Sequence, residues 1–146
     1  MRDGPILLVE DNPDDVALTL RAFAKNRVRN EIIVASDGEA CLDQLFPKDG
    51  TEPVRPAMIL MDIHLPKIDG LELLRLIRAS EHTLGLPVIM LTTSNEARDV
   101  IESYQRGANS FVRKPVAFND FLQMIETLST YWLQVNEPLP MSEGCP

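Results

Sequence analysis

The run Ala57-Met58-Ile59-Leu60-Met61 is apolar without a break, and it stops at a carboxylate, Asp62. It is short enough to be a strand, and with no alternation it has no polar face to offer water. Both faces must therefore be covered, which parallel strands joined by crossover helices achieve. The pattern recurs at Ile6-Leu7-Leu8-Val9, which runs into Glu10-Asp11, and at Pro87-Val88-Ile89-Met90-Leu91, which runs into Thr92. A further strand at 31–35 is more polar at its start, as suits a position near a sheet edge, and a last one covers 109–113 before Lys114-Pro115.

Helical patterns fill the gaps. Asn12 can cap a helix, Pro13 suits its first position, and Asp14 and Asp15 favour its positive end. Val16, Leu20 and Phe23 then form a core-facing stripe at i, i+4, i+7. A short helix over 38–46 turns Cys41, Leu42 and Leu45 inward, and Asp69-Gly70 opens another with Leu73, Leu74 and Ile77 inward. Asn95 is the expected cap of a helix carrying Val100, Ile101 and Tyr104, with Gly107 as its C′ residue. A long helix is predicted over 118–135. Strands and helices in strict alternation predict an α/β fold, a doubly wound parallel sheet of flavodoxin-like order 2-1-3-4-5. One domain over 1–135 is expected, followed by a loose, proline-containing tail over 136–146 and no output domain.

A formal net charge of −8 with no basic patch argues against a nucleic-acid partner. No apolar run approaches the ~20 residues of a membrane span, and the start of the chain has no room for a signal peptide. A cytoplasmic location without membrane attachment is the expectation. Cys41 and Cys145 form no CxxC, and His64 and His82 lack zinc-site spacing.

In a parallel sheet the carboxyl ends of all strands lie along one edge. They bring Glu10, Asp11, Asp62, Thr92 and Lys114 toward the point where strand order reverses, where open α/β sheets place their sites. Three carboxylates crowded together repel unless a cation joins them. A hard oxygen site with an incomplete cage suits Mg²⁺, with Mn²⁺ as a substitute. Asp62 could then serve as the nucleophile that forms an acyl phosphate, with Lys114 and Thr92 stabilising the transferring oxygens.

The motifs LLVEDN, ILMDIHLPKIDG, VIMLTTS and FVRKP resemble those of response-regulator receiver domains, the phosphoacceptor half of two-component signalling. The likeness runs from about Ile6 to Trp132. It implies that Asp62 is the phosphorylation site and that Glu10, Asp11 and Asp62, with the backbone carbonyl of His64, bind Mg²⁺. It also makes Thr92 the switch hydroxyl, Lys114 the phosphate-contacting amine and Phe111 the aromatic switch residue, and Lys114-Pro115 the family's cis peptide. Glu10 stands where many members have Asp, so a bridging water is expected there. The donor would be a sensor histidine kinase, and the protein a phosphoacceptor rather than an enzyme, signalling through a protein partner or by onward phosphotransfer.

The NPDDVALTLRAF helix, the long loop before the third strand and the Trp132-Leu133…Pro138-Leu139-Pro140 ending resemble stand-alone regulators paired with bacterial phytochrome-type kinases. On the final helix, Phe118, Phe121, Leu122, Ile125 and Trp132 make the expected core arc. Met124, Leu128, Tyr131 and Val135 add a second apolar stripe, read as a homodimer interface. Three other readings compete. A Mg²⁺-dependent phosphatase of the haloacid-dehalogenase type needs an Asp where His64 stands. A flavodoxin-like FMN protein needs a Ser/Thr/Gly-rich loop where Glu10–Asp15 stand. A phosphorylation-independent interaction module has no use for the full acidic set and Lys114.

Overall fold

A computed structural model describes residues 3–140. Five strands, β1 (Ile6–Val9), β2 (Ile32–Ala35), β3 (Met58–Met61), β4 (Val88–Thr92) and β5 (Ser110–Arg113), form one parallel sheet in the order β2-β1-β3-β4-β5. The apolar runs of β1, β3 and β4 are buried along their whole length, as strands covered on both sides must be.

Alternate residues feed two separate cores. Leu7, Val9, Ile59, Met61, Val88 and Met90 point to the face covered by helices α2 (Gly38–Leu45) and α3 (Gly70–Arg78). Ile6, Leu8, Met58, Leu60, Ile89 and Leu91 point to the other, covered by α1 (Pro13–Lys25) and α5 (Phe118–Thr130). Helix α4 (Ala97–Gln105) lies beside α3 and β5.

Local chemistry sets the helix ends. The Asn12 side chain accepts from the backbone N–H groups of Asp14 and Asp15 at 2.9 and 3.2 Å, with Pro13 at the first helical position. Asp69 caps α3, and Gly107 follows α4 at φ +102°, where a side chain would be strained. The cap of α4 is Glu96 and not Asn95, and its side chain makes no capping bond. Ser94 acts in its place, accepting the Glu96 N–H at 3.3 Å.

The stripe expected on α1 is rotated. Thr19, Ala22 and Phe23 are buried while Leu20 is 37% exposed, because small residues let α1 approach its neighbours closely and the Thr19 hydroxyl donates to the Asp15 carbonyl at 2.7 Å. On α4 the buried residues are Asp99 and Ser103, and Ile101 and Tyr104 face outward. The final helix loses α-helical pitch at Tyr131, and 131–135 form a π-helical turn. In the described part of the tail, Leu139 lies over Gly85 and stays 63% exposed. Cys41 is buried, and its burial pushes the thiol pKa up to about 12; Cys145 lies outside the described residues.

Candidate phosphoacceptor site

Register brings the strand ends level. Val9 pairs with both Ala35 and Met61, so Glu10 and Asp62, the first residues past β1 and β3, emerge side by side. The ladder continues one rung further: Glu10 N–H donates to the Ala35 carbonyl at 3.0 Å and Asp62 N–H to the Val9 carbonyl at 3.1 Å. Thr92 pairs with Arg113, and the Lys114 N–H donates to the Thr92 carbonyl at 2.8 Å. Backbone bonds therefore fix where each of these side chains starts.

Carboxylate oxygens of Glu10, Asp11 and Asp62 all lie within 4.8 Å of one another. Glu10 is buried, Asp62 half-buried and Asp11 open to solvent. Hard oxygen donors on one side and access to water on the other fit a divalent cation that keeps part of its hydration. His64 is exposed in the loop after Asp62.

The Asp62 carboxylate is oriented by its own backbone. Oδ1 accepts the Ile63 N–H at 2.7 Å, and Oδ2 lies 3.8 Å from Lys114 Nζ. The start of α3 presses on the same turn: Gly70 N–H donates to the Ile63 carbonyl at 2.8 Å, and a Cβ on Gly70 would overlap the Asp62 carbonyl.

Lys114 donates to Glu10 Oε1 at 2.6 Å and to Asp15 Oδ2 at 3.2 Å. Sequence reasoning missed Asp15, which read as a helix-dipole acid. Only the folded position of the third residue of α1, opposite the end of β5, reveals a fourth carboxylate at the site. Burial pushes the Glu10 carboxyl above its ordinary range. The hydrogen bond and charge of Lys114 oppose this without cancelling it, and Asp62 adds to the rise. Burial works to lower the Lys114 pKa, but the hydrogen bond and charge of Glu10, with Asp62 and Asp15, outweigh it and hold the amine above the usual lysine range.

Thr92 is fully buried, and its hydroxyl oxygen accepts the Ser94 N–H at 3.2 Å. Phe111 is half-buried on the α3 side of the sheet, and its N–H donates to the Tyr104 hydroxyl at 3.2 Å. Two expectations need correction. Among the described residues no peptide bond is cis, so Lys114-Pro115 is trans, the isomer that X-Pro bonds favour by about 0.5–1 kcal/mol. The predicted interface stripe also splits. Leu128 is buried in the core and Met124 packs partly against it, while Tyr131 and Val135 stay 45% and 65% exposed. The π-helical turn shifts the register beyond Thr130, so the four residues do not share one outward face.

The sequence profile of the response regulator receiver domain matches residues 6–126. The chain belongs to the response-regulator receiver family. Phosphorylation on an aspartate, Mg²⁺ dependence and divalent-metal binding are general features of such receivers. The chain is 40% identical to FilR2, a probable methanogenesis regulatory protein of Methanothrix harundinacea, over 90% of this chain and 84% of that protein. It is 35% identical to response regulator Rcp1 of Synechocystis over 88% of each chain. The crystal structure of Mn²⁺-bound Rcp1 superposes with a TM-score of 0.85 at 33% identity, over 94% of this chain and 99% of that one. The phosphorylated cyanobacterial phytochrome response regulator RcpA gives a TM-score of 0.85 at 29% identity, over 95% of this chain and all of that one. This receiver is thus similar over nearly its full length to phytochrome response regulators. No helix among the described residues is long and apolar enough to cross a membrane.

Proposed function

We propose that this receiver takes a phosphoryl group from a histidine kinase onto Asp62, with Mg²⁺ held by Glu10, Asp11, Asp62 and the His64 carbonyl. The observation that supports this best is the convergence of three carboxylates within 4.8 Å of one another, with one buried amine 3.8 Å from Asp62. A Mg²⁺ ion bound there would supply charge neutralisation for the incoming anion. Asp62 attacks the phosphorus of the phosphohistidine; a P–O bond forms, the P–N bond breaks, and the leaving imidazole nitrogen keeps the electron pair and takes a proton. The product is an acyl phosphate. Lys114 Nζ stands 3.8 Å from Asp62 Oδ2, close enough to donate a charged hydrogen bond to a phosphoryl oxygen carried by Asp62. The buried Thr92 hydroxyl donates to another oxygen, and Phe111 follows Thr92 into the space it leaves.

The role is that of a signalling phosphoacceptor, with no turnover of other substrates, working in the cytoplasm through a downstream protein. The unit comprises 1–135 with 136–146 as its tail. The kinase is of the phytochrome type, a reading supported by the likeness to Rcp1 and RcpA. A homodimer is proposed through the outward residues Tyr131 and Val135.

Incubation with phosphoramidate and Mg²⁺, read by intact mass, tests the site. Wild type gains one phosphoryl group, and EDTA or Asp62→Asn removes the gain. Wild-type labelling of the Asp62→Asn variant would overturn the assignment.

A further inference from the structure

Asp15 is the one carboxylate that contacts Lys114 yet stands outside the three-carboxylate group fit for the metal. Its place is set locally: the Asn12 cap binds the Asp15 N–H at 3.2 Å, and the Thr19 hydroxyl binds its carbonyl at 2.7 Å, which fixes the first turn of α1 against the site. The neighbouring Asp14 is exposed, and no ion pair involves it among the described residues. The helix dipole would be served by Asp14 alone, so it does not account for a carboxylate aimed at the ammonium.

We propose that Asp15 is a positioning residue that holds the Lys114 ammonium back from Asp62, and thereby sets how tightly the site retains a phosphoryl group. This rests on the reading of Asp62 as phosphoacceptor. Lys114 Nζ is 2.6 Å from Glu10 and 3.2 Å from Asp15 but 3.8 Å from Asp62, so its hydrogen bonds go to Glu10 and Asp15 and not to the nucleophile. A divalent cation held by Glu10, Asp11 and Asp62 would compete with Lys114 for the Glu10 carboxylate. Asp15 is not one of the three carboxylates grouped there, so its bond to Lys114 would not face that competition. Any phosphoryl group on Asp62 must then compete with Asp15 for the same ammonium protons. Asp15 also adds negative charge beside an incoming dianion. Removing it relieves the competition and the repulsion together, so both effects have one sign. The Asp15 side chain is 36% exposed, which moderates the size of each.

The test is the affinity of the full chain for beryllofluoride, a phosphoryl mimic, at saturating Mg²⁺, read by fluorine NMR. Asp14→Asn removes the same charge one residue away without touching Lys114. Asp15→Asn is expected to bind about three- to ten-fold more tightly than Asp14→Asn, the weight of a partly exposed charge-assisted hydrogen bond. Asp15→Glu, which keeps a carboxylate within reach, is expected to return affinity to the wild-type value. Mg²⁺ affinity measured without beryllofluoride separates this from metal binding: both Asn variants should fall together there. Equal beryllofluoride affinity of Asp15→Asn and Asp14→Asn, or weaker binding by Asp15→Asn, overturns the proposal while leaving Asp62 in place. A wild-type protein that does not bind beryllofluoride at all overturns the reading of Asp62 itself.

Discussion

Lys114→Met is the substitution that most directly weighs the charges at the site. Methionine keeps an aliphatic stem of similar length and deletes the ammonium. In the wild type that ammonium and the Glu10 carboxylate are 2.6 Å apart with side chains 7% and 4% exposed. Removing one partner of a buried pair costs about 3–5 kcal/mol, since the other charge is left without compensation. Solvent reaches this cluster at Asp11 and Asp15, so the lower end applies, about 3 kcal/mol at pH 7 without metal. For a domain of this length that is a fall of about 6–12 °C in Tm.

The pH dependence follows from Glu10. Burial already holds its folded pKa above the ordinary glutamate range, and loss of the downward pull from Lys114 raises it further. A carboxyl with a raised folded pKa binds its proton more tightly when folded. Stability is therefore lost as pH rises through the folded pKa and regained below it. The Lys114 pKa is raised too, so the stability that amine contributes in wild type is present throughout the acidic and neutral range. The gap between variant and wild type should consequently be widest at pH 7, shrink toward pH 5, and shrink again at pH 7 when Mg²⁺ replaces the missing positive charge. Thermal unfolding by circular dichroism at both pH values, with EDTA or Mg²⁺, reads all four conditions. A gap that stays constant across them would show that packing of the stem, and not the stranded Glu10 charge, carries the loss.

Two further outcomes are expected. Thr92→Ala should still accept phosphate onto Asp62 but lose most of the response, so that phosphorylated and unphosphorylated forms bind a partner with nearly equal affinity; a wild-type ratio would refute the coupling through Thr92. The pair Tyr131→Glu with Val135→Glu should turn a dimer into a folded monomer in light scattering, with circular dichroism confirming the fold; a folded dimer in the double variant would remove this face from consideration.

Much of this was legible from residue order because short apolar strands leave little choice. Once β1, β3 and β4 must be covered on both faces, topology brings Glu10, Asp62, Thr92 and Lys114 to one edge. Asn12, Asp69 and Gly107 also did what their side chains, or lack of one, favour at helix ends. What escaped depends on distances that spacing cannot supply. Leu20 faces water because α1 settles on its small residues, Thr19 and Ala22. Asp15 joins the site only through the angle at which α1 leaves β1. The apolar stripe on the last helix assumed an unbroken α-helical pitch, which ends at Tyr131.

The bond between Lys114 and Glu10 joins residues 104 positions apart. Every strand contributing to the site must be paired, and the edge strand β5 docked, before the ammonium arrives among the carboxylates. Contacts of such long range close late in folding, since the chain between them must be ordered first. If Asp62 is the acceptor, a nascent or half-unfolded copy displays the aspartate without the ammonium beside it. A kinase meeting it would deliver nothing. On the proposed reading, the separation of these residues along the chain ties acceptance of phosphate to a completed sheet.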